Sequence, residues 1–398
     1  MVFLMSAPCF GFYEWQKPTH QGDITGTVRL FGTLLQNPDN DFFYENRNES
    51  GLAGIARVMS QIQIKERWYV GINAYQTYIP SALVGSQSGV GTPLGVERSA
   101  GLESNLLDKD YAHFALDRLN VNWSNERMDI IAGRQPVNLA TTFYFTPNDF
   151  FAPFAAQAFF RVYKPGVDAL RAEIRLENLS QLSLIQVLGY DKQADSDTGW
   201  SHRPNAQRNS YLARISTVFH DTEWMLLAGR VRETYIIGGS LQGEWFNWLG
   251  VRAEGHYANP KDQSKKNYTE ITLGMEHRWE NSLEVRLELF HHGNGASRVS
   301  GYGLTQATRE GIYLARRYVA AGASYEISPL LIGNLVTIMN LVDDSSLISM
   351  NAVYSLADET EMAFNLTLPF GEKPEGMELK SEYGLSPYSI NLEWRTYR

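Results

Sequence analysis

The chain has 398 residues with 12% aromatic side chains and 33 glycines, which excludes a disordered polypeptide. No run approaches the ~18 consecutive apolar residues of a transmembrane helix, so an α-helical membrane protein is excluded as well. The formal net charge is −9. Without a cluster of Lys and Arg to offset it, this charge argues against a nucleic-acid partner.

Residues 1–22 precede the first predicted strand. The first twelve of them are apolar with no Lys or Arg in front, so they resemble a signal-peptide remnant or a shortened mature N-terminus. Cys9 is the only cysteine. A single cysteine excludes an internal disulfide and a haem bound covalently by this chain. We predict neither a cofactor nor a metal site.

From residue 23 onward, stretches of about ten residues alternate apolar and polar side chains. Residues 283–292 show the pattern clearly, because Glu284, Arg286 and Glu288 separate apolar neighbours. A period of two is the signature of a β-strand. Eighteen stretches fit it, near residues 23–34, 51–64, 68–78, 112–123, 128–135, 167–176, 181–190, 209–219, 224–233, 235–245, 249–257, 267–279, 283–292, 316–326, 331–341, 346–356, 361–369 and 388–397.

The connections between these stretches alternate in length. Those after even-numbered strands are tight, such as residues 65–67 and 280–282, and those after odd-numbered strands are mostly longer. This pattern predicts an all-β fold, a transmembrane up-and-down antiparallel β-barrel formed by residues 23–398, with both termini on the periplasmic, short-turn side. The connections after Glu233 and Val342 are also short, so sixteen strands is the alternative count.

One face of the strands is apolar and is predicted to contact lipid. Its aromatic residues lie near strand ends beside the short turns, as interfacial rings of a barrel do. Core packing in a soluble protein is the alternative. The predicted lipid-facing residues include Val28, Leu30, Val70, Ile72, Leu119, Val121, Trp123, Leu170, Ala172, Ile174, Leu249, Val251, Ile271, Leu273, Met275, Ile390, Leu392 and Trp394.

The opposite face is charged and is predicted to line a water-filled lumen, because about eighteen strands enclose more space than side chains can fill. Arginines dominate strands one to eleven, and glutamates dominate strands eleven to thirteen. Opposed walls of Arg and Glu would create the transverse field of a diffusion pore, whereas cross-strand ion pairs are the alternative. The candidate pore-lining residues are Arg29, Arg57, Arg118, Arg171, Arg175, Arg214, Arg230, Arg232, Arg252, Glu254, Glu270, Glu276, Glu284 and Glu288.

The connection 136–165 is too aromatic to remain in solvent, and long apolar loops are usually functional. We expect it to fold inward as a constriction, with its aromatic rings on the inner wall and with Asn148 and Asp149 facing the channel. A cap at the rim, or a surface for a partner, is the alternative. The candidate constriction residues are Phe143, Tyr144, Phe145, Asn148, Asp149, Phe150, Phe151 and Phe154.

Short motifs around this loop resemble known porins. The chain resembles eighteen-stranded barrels of the alginate-export and carboxylate-porin type in three features. These are Gly133-Arg134-Gln135 at the end of the fifth strand, the inserted loop, and the start of the next strand at Gly166. The C-terminal half, with Ser328-Pro329 and the segment 354–360, resembles the porin-like barrels that sheathe multihaem c-type cytochromes. The first resemblance implies a solute channel, and the second implies an electron conduit.

The sequence therefore predicts a channel of the bacterial outer membrane for small polar or charged solutes, in contact with the lipid bilayer and lipopolysaccharide. The rival interpretations are a sheath around multihaem cytochromes and a soluble β-rich binding protein. An enzyme is disfavoured, because His277 has no Ser partner spaced for catalysis. His291 and His292 are adjacent and point to opposite faces of a strand, so they cannot share a metal.

Overall fold

The computed structural model describes residues 13–80, 83, 96–105, 112–177, 179–193, 196, 198–303 and 313–398. Residues 1–12, which include Cys9 and most of the predicted signal-peptide remnant, lie outside this range. Within it, eighteen strands form the wall of one barrel. They are β2 (His20–Gln36), β3 (Asn48–Ile64), β4 (Trp68–Tyr78), β6 (His113–Ser124), β7 (Met128–Gln135), β8 (Val167–Glu177), β9 (Ser180–Val187), β12 (Ser210–Phe219), β13 (Thr222–Val231), β14 (Thr234–Trp245), β15 (Leu249–Pro260), β16 (Tyr268–Arg278), β17 (Glu284–His292), β18 (Arg317–Ser328), β19 (Leu331–Asn340), β20 (Ser346–Ala357), β21 (Thr360–Phe370) and β22 (Tyr388–Tyr397).

The wall is closed by the pairing of β2 with β22. Ten residues of each strand are in register, from Thr27 opposite Tyr397 to Gln36 opposite Tyr388. A buried ion pair joins the two strands on the inner face, with Arg29 Nε 2.6 Å from a carboxylate oxygen of Glu393. Each wall strand pairs antiparallel with its two neighbours, so the predicted all-β, eighteen-strand barrel is confirmed.

Alternation sorts the side chains as the sequence predicted. In β2, Val28 and Leu30 are exposed on the outside, whereas Arg29 and Phe31 are buried on the inside. Leu30 pairs with Trp394, so the predicted lipid-facing residues of β2 and β22 lie in the same rows. The outside therefore carries the apolar belt that a barrel presents to lipid.

Four short strands lie beyond the predicted set: β1 (Tyr13–Lys17), β5 (Glu103–Asn105), β10 (Tyr190–Lys192) and β11 (Trp200–Pro204). β1 forms a hairpin with the start of β2, so the sheet begins ten residues earlier than the alternation indicated. β10 and β11 form a separate hairpin within the connection between β9 and β12. Strands of three to five residues are too short for a period of two to be recognised.

β5 repairs the wall where β7 stops early. β6 pairs with β7 only from Leu119 to Ser124. On the same edge of β6, His113 to Ala115 pair with β5 instead. Near its end β7 contains Gly133, whose φ is +113°. A Cβ at this position would lie 2.2 Å from the carbonyl oxygen of Leu119, so only glycine fits without a backbone shift.

The helices of the described residues are single 3₁₀ turns, and none of them is long and apolar enough to cross a bilayer. The largest buried clusters lie inside the barrel, between the wall and the connection from β7 to β8. That connection, Pro136 to Pro165, is called the inward loop below.

The closed wall predicts that unheated protein migrates differently from heated protein on a denaturing gel, because detergent finds no free edge at which to start unzipping the sheet. Circular dichroism of the unheated sample should show β-structure. Equal mobility of the two samples, together with a helical spectrum, would contradict the barrel.

Candidate functional site

The inward loop leaves β7 and first packs against one side of the inner wall. Val137 and Leu139 are buried against Ile185 of β9, Leu212 of β12 and Leu227 of β13. Apolar side chains therefore cover this part of the lumen wall, and the loop is fixed there by hydrophobic burial.

The loop then crosses to β15, where Glu254 holds its backbone. The Glu254 carboxylate accepts hydrogen bonds from the backbone N–H groups of Thr141, Thr142 at 2.9 Å and Asn148 at 3.0 Å. Glu254 is only 2% exposed. Burial of a carboxylate is tolerated here because three donors replace its water.

Glu288 of β17 repeats this arrangement two strands further round. Its carboxylate accepts from the backbone N–H groups of Phe143 at 2.6 Å, Tyr144 at 2.9 Å and Phe145 at 3.0 Å. Glu288 is also 2% exposed. Both glutamates lie on the predicted inner face, and each one uses its carboxylate to anchor the loop.

Aromatic packing extends the contact to β18. The Phe145 ring stacks on Phe290 with centroids 4.9 Å apart and lies 5.9 Å from the Tyr318 ring. Phe151 is buried in the first cluster with Val137, and Phe150 contacts the His256 ring at 5.1 Å. The rings that the sequence assigned to the constriction therefore lie against several different wall strands.

The end of the loop reaches the opposite side of the barrel. The guanidinium of Arg29 lies 3.6 Å from the centroid of the Phe160 ring, and the guanidinium of Arg57 lies 4.5 Å from the centroid of Tyr163. These cation–π contacts attach the loop to β2 and β3. Between β7 and β8 the loop thus follows most of the inner circumference and narrows the lumen.

Two cations hold the loop in its own shape. Lys164 forms a buried ion pair with Asp149, and Arg161 donates to the carbonyl oxygens of Phe143 and Ala156. Burial raises the pKa of Asp149 and lowers the pKa of Lys164, while their mutual attraction opposes both shifts.

The expectation that Asn148 and Asp149 face the channel is wrong. Asn148 has no exposed surface and donates from Nδ2 to the carbonyl oxygen of Gly239, and Asp149 is buried beside Lys164. Both polar side chains serve packing, because a loop pressed against the wall must satisfy its own polar groups internally.

The expected walls of opposite charge are also wrong. On the side assigned to glutamate, Glu276 lies 2.9 Å from Arg252 and 3.0 Å from Arg286. On the side assigned to arginine, Arg57 pairs with Asp117 at 3.0 Å. The charges are interleaved as cross-strand pairs, which was the alternative interpretation.

The remaining candidates differ in their exposure. Arg29 and Arg57 are buried in ion pairs, and Arg175 is well exposed near the short-turn end, where it pairs with Asp129. Arg232 is in the turn after β13 and pairs with Glu97 at the long-loop rim. The half-buried residues of the inner face are Arg118, Arg171, Arg214, Arg252, Glu270, Glu276 and Glu284.

Arg230 was assigned to the wrong face. It pairs in register with Tyr211 and Tyr235, whose rings are exposed on the outside of the barrel. Its neighbour Val231 is buried on the inner face with the start of the inward loop. The loop makes this part of the inner wall apolar, so the charged residue is the one that points outward.

A cavity of about 160 Å³ remains between the start of the inward loop and strands β8, β9, β12 and β13. Arg171 and Arg214 both line it, with Glu173 and Glu223 opposite. Arg171 lies 3.3 Å from Glu173, whereas Arg214 has no carboxylate within 4 Å in the described chain and its guanidinium contacts only the sulfur of Met225. The cavity therefore has two arginines and two glutamates in its wall, and Arg214 is the arginine that forms no ion pair within the described chain.

Sequence reasoning missed the charged cluster that seals the wall beside β5. Arg98 binds Asp117 at 2.7 Å, and Arg134 binds Asp168 at 2.8 Å, all of them largely buried. Asp117 lies at an irregularity in the pairing of β4 with β6, so strict alternation could not place it. Arg134 belongs to the Gly-Arg-Gln motif, which was the available signal.

A second polar cluster packs the connection between β21 and β22 onto the wall. Glu382 accepts from the Tyr318 hydroxyl at 2.5 Å, Asn340 Nδ2 at 2.8 Å and the Leu314 N–H at 3.2 Å. Burial, with the negative charge of Asp343 nearby, raises the pKa of Glu382 to about 7.

Removing both loop anchors should release the inward loop without opening the barrel. Each N–H bond to a carboxylate contributes about 1.5–3 kcal/mol, so Glu254→Ala/Glu288→Ala should let trypsin cleave after Arg161 at least about tenfold faster. The control is Glu284→Ala, which removes a carboxylate that does not touch the loop. Equal resistance of all three proteins would show that the glutamates do not hold the loop.

The connection containing Glu382 should pack more tightly in acid. Its folded pKa of about 7 lies above the ordinary 4.5. The stabilisation is therefore complete below about pH 4.5 and is lost as the pH rises through 7. Hydrogen exchange of residues 371–387, corrected for intrinsic rates, should show more protection at pH 5 than at pH 8. Glu382→Gln should remove the difference, and a pH dependence that persists in this variant would assign the effect to another group.

No protein-family model and no curated protein sequence matches the chain significantly. Solved structures do share its fold. OccAB3 of Acinetobacter baumannii has a TM-score of 0.60 at 11% identity, with 95% of this chain and 99% of that one covered. OccK8 (OprE) of Pseudomonas aeruginosa has a TM-score of 0.59 at 10% identity, covering 95% and 98%. OccK2 (OpdF) of the same organism, in complex with glucuronate, has a TM-score of 0.57 at 10% identity, covering 94% and 96%.

These structures show that the chain has the fold of the Occ outer-membrane porins, an eighteen-stranded barrel. The eighteen-stranded barrel fold that the sequence resemblance implied is therefore confirmed. The alginate-export and porin–cytochrome types gain no support from them.

Proposed function

We propose that the chain is a passive channel of the bacterial outer membrane for small polar or charged solutes. The observation that carries this proposal is the inward loop, which follows the inner wall from Val137 to Tyr163 and is fixed by Glu254 and Glu288. A closed barrel with an apolar outside and a loop-narrowed, charged inside has the features of a selective pore.

The two rival functions fit this arrangement less well. A sheath for multihaem cytochromes needs an open lumen, and here the inward loop lines most of the inner wall and takes up part of that space. A soluble binding protein would not expose a continuous apolar belt on its outside, with residues such as Leu30, Leu226 and Leu273 more than half exposed. The membrane channel accounts for both observations.

Solutes with an anionic group are the first class to test. The cavity beside the loop contains Arg214 without a carboxylate partner, next to Arg171. Glucuronate, the ligand of the OccK2 structure, is a solute of suitable size and charge. No catalytic residue or cofactor is part of this proposal.

Neutralising the two cavity arginines should reduce the preference for anions, because their field acts on ions that pass the constriction. For Arg171→Gln/Arg214→Gln in a planar bilayer, the chloride-to-potassium permeability ratio should fall about twofold or more. The matched control is Arg230→Gln, which removes one arginine from the outer face. Reversal potentials that do not change in the double variant would show that these arginines lie off the conducting path.

A further inference from the structure

Arg230 belongs to a row of side chains on the outside of the barrel near the long-loop end. Its register neighbours are Tyr211 on β12 and Tyr235 on β14, and Asn259 of β15 continues the row. The two tyrosine rings are 45% and 54% exposed, at the height where interfacial aromatic residues lie.

The Arg230 side chain is held in place but not neutralised. Its guanidinium lies 5.4 Å from the centroid of the Tyr211 ring and donates to the carbonyl oxygen of Asn209 at 3.2 Å. No carboxylate lies within 4 Å of it among the described residues. An unpaired cation at the edge of a lipid-facing surface is costly unless it meets an anion there.

Arg317 occupies an equivalent position on β18. It pairs in register with His291 and follows the outward row of Leu289 and Val319. Its side chain is exposed, and within the described part of the chain it has no ion pair. Two arginines thus lie on the outer face at the long-loop end, five strands apart, which corresponds to about 24 Å at a spacing of about 4.8 Å per strand.

The loop between these two arginines adds further cations. Lys261, Lys265 and Lys266 are exposed in the connection of β15 to β16, and none has an ion pair in the described chain. Among the described residues of the connections at this end, the acids are Glu233 and Asp262, and one oxygen of Asp262 accepts from Ser264. In this described part, cations therefore outnumber acids from β13 to β18.

Two other connections of the long-loop rim have the opposite balance of charge. The connection of β2 to β3 exposes Asp39, Asp41 and Glu45, and the connection of β21 to β22 exposes Glu372, Glu375 and Glu378. In the second connection Lys380 is already paired, at 3.0 Å from Glu378. The sector from β13 to β18 is therefore more basic than these two connections, and it is called the basic arc below.

We propose that this basic arc, from Arg230 to Arg317, binds the phosphate groups of phosphorylated lipid headgroups in the outer leaflet. The inference rests on the proposed placement in the outer membrane, with the long loops outward. Arginine presents several donors to a phosphate, and exposed tyrosines beside it contact the sugar and acyl-chain boundary. The arc would thus fix both the depth of the barrel and one preferred lipid-facing side.

The test is native mass spectrometry of the detergent-purified barrel with diphosphoryl lipid A. The wild-type chain should retain this lipid, and it should retain the enzymatically dephosphorylated lipid poorly. Each cation near an anionic headgroup contributes about 1 kcal/mol, so Arg230→Gln/Arg317→Gln, which removes two of them, should weaken retention about thirtyfold. The matched control is Arg47→Gln/Lys373→Gln, which removes the same charge from the acidic side of the rim.

Equal retention by the wild type and the Arg230→Gln/Arg317→Gln variant would overturn the proposal. So would an equal loss in the control pair, or retention that does not depend on phosphate. Heat-modifiable migration of each variant shows that the barrel is intact. Because binding is measured without conduction, failure of the lipid site is distinguishable from failure of the channel.

Discussion

The structure depends on one geometric constraint: an eighteen-strand barrel encloses more space than its own side chains can fill. The inward loop answers this constraint by bringing a second layer of backbone into the lumen. A backbone inside a barrel needs partners for its N–H groups, and here two wall carboxylates supply them. Glu254 and Glu288 are therefore residues of wall strands whose carboxylates hold the backbone of the loop.

This arrangement explains why so much of the lumenal charge is buried. A buried carboxylate alone would be costly by several kcal/mol, and three N–H donors offset that cost for each glutamate. On the other side of the barrel, Arg29 and Arg57 stack on rings of the loop while keeping their ion pairs with Glu393 and Asp117. Part of the lumenal charge stays half-buried, and Arg214 beside the cavity has no carboxylate within 4 Å in the described chain.

The sequence predicted the wall well and the interior poorly, for a physical reason. Alternation reports which side of a strand meets lipid, and it placed β2 and β22 correctly from Val28 and Trp394. It cannot report what covers the inner side. Arg230 was placed inward because the inner face was assumed to be polar, whereas the loop makes it apolar around Leu227 and Val231. The sequence predicts that Asn148 and Asp149 face the channel, because nothing in it indicates the hydrogen bond of Asn148 to Gly239 or the ion pair of Asp149 with Lys164.

We propose that the inward loop sets the bore of the channel. The most direct measurement is the single-channel conductance of a variant lacking Thr146 to Ala156, compared with the intact chain in the same bilayer. Because the wall strands keep their pairing without this segment, we expect heat-modifiable protein whose conductance is severalfold higher. Unchanged conductance in a folded barrel would contradict the account and would place the conducting constriction elsewhere.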